Sequence, residues 1–347
     1  MQLSKTEKRV ELELIRAIAI ACVVYIHTAS LIVNNLTKVD YGSWFVLTFI
    51  DALVRWCVPV FIMVSGSLLL QKSEPHLQFV KKRLGRIGLP LLIWLPLYWL
   101  TVALFNPPLP NIKSLIQSVL YEQPYLHFYF LFVMLQLAIL TPWLRSVVRS
   151  LSHRSLALLI ILLIYIGIAY QSKTTSLFYL FIPYLGYYLY GYFARNLTFE
   201  RRAFKLIAVG MIVFISSLMV IFQYFMQRGD LVIRGVANST SVVSYLSPFV
   251  VFLSLLAFPV LKDPTLYRWF AKLINSKAIV SIGECSFGIY LIHPILGQVL
   301  VYFLPNLHDF QLAHSIPITL LMTTCLFLVS WGIAWIIKRL KVVSWLV

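Results

Sequence analysis

Two ionisable side chains stand in the first apolar run, "ELELIRAIAIACVVYIHT" at residues 11–28: Arg16 and His27, eleven positions apart. Eleven residues of α-helix end within about 20° of the starting face after a rise of about 16 Å. The two therefore share one stripe. Ionisable groups are expensive in hydrocarbon and normally face a protein interior or a wet cavity. An imidazole, with an ordinary pKa of about 6.5, is suited to taking the proton of a hydroxyl. A guanidinium on the same stripe is suited to an anionic group on the same path. Glu13, three residues before Arg16, is placed to orient it. Snorkelling of Arg16 and a hydrogen-bonded packing role for His27 are the plainer alternatives. A pair on one face favours chemistry.

Four further groupings break the apolar pattern. In "SIGECSFGIYLIHPIL", Ser286, Tyr290 and His293 are spaced four and three apart and share a helix face; His293 reads as a packing or hydrogen-bond residue or, at a depth like that of His27, as part of a polar pocket. Asp51 and Arg55 are an i, i+4 pair inside another run, a spacing at which opposite charges neutralise each other. The "CVPVFIMVSGSLLL" that follows has Pro59 and Ser65–Gly66 to loosen the helix and allow close backbone approach. Arg83 and Arg86, three apart in "KKRLGRIGLP", are either a paired fork for phosphates or ordinary loop charge. His127, in "YLHFYF", opens a helix at its outer end, where Tyr125 and Tyr129 also fit an interfacial aromatic belt.

The elements that must hold these residues are membrane helices. Of 347 residues 60% are hydrophobic and 12% charged, and the mean hydropathy is +0.86, more apolar surface than a soluble domain of this size can bury. The net charge of +17 is not gathered in one domain, which excludes a nucleic-acid-binding module. Each span needs about 20 apolar residues. Ten runs meet this roughly: 12–34, 44–70, 84–105, 126–148, 156–170, 177–194, 204–226, 242–261, 279–304 and 315–337. Asn106–Pro107–Pro108 closes the third run, and "NIKSLIQSVLYEQ" after it reads as an amphipathic piece on the membrane surface. The alternating loops that share a side with the termini carry 22 Lys and Arg against 5 on the other side, which predicts cytoplasmic termini. The expectation is an all-α integral membrane protein, a bundle of about ten transmembrane helices forming one domain over 1–347 with no appended soluble domain. The first run is long and its flank acidic, so it reads as a retained helix and not a cleaved signal. The four cysteines, Cys22, Cys57, Cys285 and Cys325, lie in apolar runs without paired spacing and read as buried, reduced packing residues; no metal site is expected.

These residues carry a resemblance. Arginine, ten residues and histidine in the first helix, with an acid three before the arginine, resemble the signature of the acyltransferase family 3 membrane enzymes. "VPVFIMVSG", "RLGR" and "SFGIYLIHP" resemble that family's other motifs in the expected order. "LHFYFLFVMLQLAILTP" is similar to its fourth-helix motif, with Tyr129 where tryptophan is usual. The resemblance implies transfer of an acetyl or other acyl group from cytoplasmic acyl-CoA, a substrate and not a tightly bound cofactor. The acceptor would be a hydroxyl of a carbohydrate or lipid-linked glycan at a bacterial cytoplasmic membrane. A sugar hydroxyl is a poor nucleophile and needs a base, for which His27 is the candidate, with Arg16 and Glu13 beside the donor's path. Arg83 and Arg86 would meet the CoA phosphates. Ser286, Tyr290, His293, His127, Asp51 and Arg55 would line the acceptor pocket. No nucleophilic serine or cysteine elbow is evident, which favours direct transfer. The competing reading is a transporter or flippase for a glycan or lipid, its polar residues lining a path.

Overall fold

The computed structural model describes residues 5–105, 128–170, 179–197, 202–230, 241–273, 276–340 and 343–347. All regular structure among these residues is helical. Seven of the helical spans are long and apolar enough to cross a membrane, and an eighth is if the pair Pro248–Leu261 and Pro264–Phe270, bent by 61°, counts as one. The run at 156–170 is a 17-residue helix, His153–Ala169, about 26 Å long and so shorter than a bilayer's hydrocarbon. The run at 177–194 contains a 3₁₀ turn at Ile182–Tyr184, the helix Leu185–Phe193 and a second 3₁₀ turn at Ala194–Asn196. The amphipathic piece at 111–123 and His127 lie outside the described residues.

These residues form two compact units, one of Met1–Phe61 with Asn196–Ile336, the other of Ile62–Arg195 with Ile337–Val347. The first unit is built on α1 (Lys5–Val33), followed by α2 (Tyr41–Val54) and the start of α3 (Cys57–Leu69). More than half of the α1 span is buried, against 17% of the last span, Ser315–Arg339, so α1 is the central post and the last helix lies at the lipid edge. In lipid, apolar burial gives helices little reason to associate, so small residues and polar contacts must hold them. Tyr25 donates its hydroxyl to the carbonyl of Leu47 at 2.8 Å, and the Trp44 indole donates to that of Val33 at 3.2 Å. Around them Tyr25, Ala29, Ile32, Val33 and Leu47 form a core. Asp40 caps α2 by accepting the Ser43 N–H.

In the second unit, the rest of α3 leads into α4 (His76–Arg83), a π-helical turn at Leu84–Gly88 and α5 (Leu89–Phe105). Next come α6 (Phe128–Ser150), α7 (His153–Ala169) and α8 (Leu185–Phe193). Here α3 and α8 meet at two glycines. A Cβ on Gly66 would stand 1.9 Å from the Tyr188 carbonyl oxygen, and one on Gly191 would stand 2.0 Å from that of Met63. Only glycine permits that approach.

The remaining helices of the first unit are α9 (Arg202–Arg228), α10 (Pro248–Leu261), α11 (Pro264–Leu273), α12 (Ser276–Phe303), α13 (Leu307–Ala313) and α14 (Ser315–Arg339), whose last residues pass into the second unit. Large apolar side chains point outward from α9 and α14, among them Phe214, Ile221, Leu321 and Val329, as a lipid solvent allows. That face also corrects the cysteine expectation. None of the four cysteines is in a disulfide, but only Cys57 and Cys285 are buried; Cys22 is half-buried, and Cys325 is exposed on lipid-facing α14.

Candidate functional site

Each unit carries one grouping of the residues singled out above. In the first, α1 keeps Arg16 and His27 on one continuous helix. Arg16 donates to the Glu13 carboxylate at 2.8 Å. Glu13 is buried because α12 crosses α1 there: a Cβ on Gly283 would lie 2.4 Å from the Glu13 carbonyl oxygen and 2.7 Å from its Cβ. The Oε2 atom of Glu13 is buried without a hydrogen-bond partner.

Further along the same crossing, the His27 ring meets His293 of α12, with centroids 5.2 Å apart and planes tilted by 56°. The two differ in environment: His27 is exposed, whereas His293 is 1% exposed. The Nδ1 of His293 bonds the Ile289 carbonyl at 2.8 Å. A carbonyl only accepts, so Nδ1 carries the proton and Nε2 is an acceptor in the neutral ring. The Tyr290 ring is 6.2 Å from that of His293, and Ser286 is buried two turns earlier on α12. Pro294, next to His293, has no N–H for the Tyr290 carbonyl, which loosens α12 beside the histidine.

Asp51 and Arg55 form a two-pronged ion pair, with Nε to Oδ2 at 2.8 Å and Nη2 to Oδ1 at 2.9 Å, and Asp51 is fully buried. Arg55 lies where the second span breaks between α2 and α3, within electrostatic reach of His27. The interruption falls just before Pro59, which cannot donate to the carbonyl four residues back and which the sequence marks as loosening the helix. Beyond His27, a polar belt holds α1: Thr28 and Thr323 share a hydrogen bond of 2.6 Å, and Gln311 donates to the Thr28 carbonyl at 2.8 Å.

In the second unit Arg83 and Arg86 do not share an environment. Arg83 is buried and Arg86 exposed, because the turn that follows Arg83 is wound as a π-helix. Its wider turn no longer stacks residues three apart. Arg83 lies over the Phe79 ring, its Cζ 5.1 Å from the centroid. Arg145, read from the sequence only as a loop charge, is 4% exposed and lies 4.2 Å from the same ring centroid. Among the described residues no group of three or more His, Cys, Asp and Glu side chains could hold a metal ion.

A family model for an acyltransferase domain, that of acyltransferase family 3, matches residues 9–339. No curated protein and no solved structure matches the chain.

Proposed function

Because the chain belongs to acyltransferase family 3, we propose that it moves an acetyl group from cytoplasmic acetyl-CoA, or another acyl group from its CoA thioester, to a hydroxyl of a cell-envelope carbohydrate or lipid-linked glycan. The observation that carries this reading is the pairing of an open His27, on the helix that also bears the Glu13–Arg16 pair, with a buried His293 on α12. His27 is the general base. Its imidazole takes the proton of the acceptor hydroxyl as that oxygen attacks the thioester carbonyl. The C–S bond then breaks, the acyl group stays on the acceptor oxygen, and the CoA sulfur leaves with the proton that the imidazolium returns. His293, whose Nδ1 is tied to the helix, positions the His27 ring or the acceptor. Arg16, held by Glu13, lies on the donor's way to the base, and Arg83 and Arg86 meet the CoA phosphates.

The same reading gives ten spans in a bacterial cytoplasmic membrane with both termini in the cytoplasm, supported by the loop-charge asymmetry. Cysteine-accessibility mapping checks it: residues 37 and 308 should label from outside, and labelling of either only from the inside would overturn it. A second reading, a glycan or lipid transporter, draws on the two-residue interruption between α2 and α3 within the Tyr41–Leu69 span, since transporters bind substrates at discontinuous helices. A transporter needs no acyl-CoA.

Among the glycans that such an enzyme could modify, enterobacterial common antigen is the first acceptor to test. Purified protein in nanodiscs, given acetyl-CoA labelled in the acetyl group, should release CoA thiol and transfer label only when acceptor is present. Deletion of the gene should strip ester groups from one envelope glycan. Absence of both effects across the envelope glycan fractions would remove the transferase reading.

A further inference from the structure

Among the described residues, the interior of the second unit holds Arg83 and Arg145 and no matching buried negative charge. Arg83 and Arg145 are 7% and 4% exposed, and their guanidinium carbons lie 5.1 and 4.2 Å from the centroid of one fully buried ring, Phe79. They are therefore no farther apart than those two distances laid end to end. Arg145 gives its Nε to the Leu69 carbonyl at 3.1 Å and its Nη1 to the Glu74 carbonyl at 3.2 Å, which clasps the end of α3. This structural duty leaves Nη2 buried and without a hydrogen-bond partner, and the Nε of Arg83 is in the same state. Among the described residues, the acidic side chain acting on both arginines is Glu74, which is partly exposed and paired with Lys72 at 3.5 Å. Arg86 and Arg149, both exposed, add positive charge at the edge. Buried cations with unused donors are stable only when an anion completes them.

We propose that Arg83 and Arg145 together hold a phosphate group of the acyl donor, the Nε of Arg83 and the Nη2 of Arg145 supplying the N–H groups. A phosphate oxygen accepts such bonds at about 2.7–2.9 Å, and one phosphate has oxygens for both guanidinium groups. Arg145 is thereby a donor-binding residue contributed by α6, outside the "RLGR" motif. The assignment rests on the reading that the donor is an acyl-CoA.

The test is calorimetric titration of CoA, and of adenosine 3′,5′-bisphosphate, into the full chain in phosphatidylcholine nanodiscs. Arg145→Gln and Arg83→Gln should each weaken CoA binding by about 10- to 100-fold, as expected for a lost charge-assisted hydrogen bond. Arg145→Lys should recover part of the loss, since it keeps the charge without the fork. In turnover, the loss should appear in KM for acetyl-CoA more than in kcat. Arg83→Gln breaks no backbone clasp, so it keeps the test valid should Arg145→Gln misfold. Wild-type affinity in Arg83→Gln, or in a folded Arg145→Gln, would return that residue to a structural role and overturn the paired site. Failure of the wild type to bind CoA at all would remove the acyl-CoA reading itself, a different result. A site for lipid headgroups would show instead as CoA binding abolished by phosphatidylglycerol in the wild type but not in the variants, and would overturn the donor assignment.

Discussion

His27 and His293 face each other across the crossing of α1 and α12, with ring centroids 5.2 Å apart, one ring open and the other enclosed. The enclosed ring is tied through Nδ1 to its own helix. That bond holds its orientation, whereas the other ring is open to its surroundings. On the proposed mechanism, that asymmetry would separate a base from the group that positions it.

His27→Ala should lower turnover by the 10²–10⁴-fold that a positioned base typically contributes, while the protein stays folded and binds CoA. His293→Ala should leave measurable residual turnover. The measurement is the rate of acetyl transfer by both purified variants at saturating donor. Retention of more than about a tenth of wild-type turnover in His27→Ala would exclude base catalysis of that size there.

The buried ion pair gives a second comparison. Asp51→Asn or Arg55→Gln alone leaves an unmatched charge, and each should cost about 3–5 kcal/mol of stability. Asp51→Leu combined with Arg55→Met should recover most of that loss in denaturation assays, because apolar replacements of similar size often substitute for such pairs. Activity should not return with stability if Arg55 also acts on His27. A double variant with full stability and full turnover would make the pair purely structural.

Gly283 sets the spacing of α1 and α12 at Glu13. A methyl group there meets backbone, so Gly283→Ala should lower stability by about 1–3 kcal/mol and reduce turnover, because Glu13 and Arg16 move with the seam. Gly297, on the same helix with open space at its Cβ position, is the control. Equal behaviour of Gly283→Ala and Gly297→Ala in melting temperature and rate would refute the tight seam.

Acid should reach the turn between α10 and α11 first through Asp263. Partial burial works against its ionisation, but hydrogen bonds from Lys205 and Thr265 outweigh this and hold its carboxyl below the usual carboxylate range. A carboxylate with a depressed folded-state pKa adds stability above its unfolded value, and that increment is lost as pH falls through the folded one. The melting-temperature difference between wild type and Asp263→Asn should therefore be constant above about pH 5 and shrink once the pH drops below the ordinary value of 3.8. Asn still caps α11, as Asp263 does by accepting the Thr265 N–H at 2.8 Å, so the comparison isolates the charge. A difference that does not change with pH would show that the ion pair with Lys205 is not what stabilises the turn.

Much of this was legible in the sequence. Helical rotation put Arg16 and His27 on one stripe and the i, i+3 rule joined Glu13 to Arg16; the i, i+4 rule likewise found Asp51–Arg55. These relations are local, and helix geometry alone fixes them. The meeting of His27 with His293 was not legible, because it depends on where α12 crosses α1. Gly283 decides that, and its need for close approach shows only when both helices are in place. Arg83 and Arg86 were read as stacked neighbours, but the π-helical turn broke the periodicity that the reading assumed. Arg145 was counted with the loop charges because its partners, the carbonyls of Leu69 and Glu74, are about seventy residues away in sequence. Backbone carbonyls leave no mark in a pattern of side chains.

The seam at Gly283 has a mechanical consequence. Glu13 and Gly283 lock α1 to α12 at one end, and His27 and His293 touch further along the same two helices. Two helices in backbone contact slide or tilt past each other only by breaking that contact. Whatever opening admits a substrate, the two imidazoles should travel together, with their spacing preserved. Bending is easier where a helix is interrupted, as the second span is at Arg55–Trp56, where α2 ends and α3 begins.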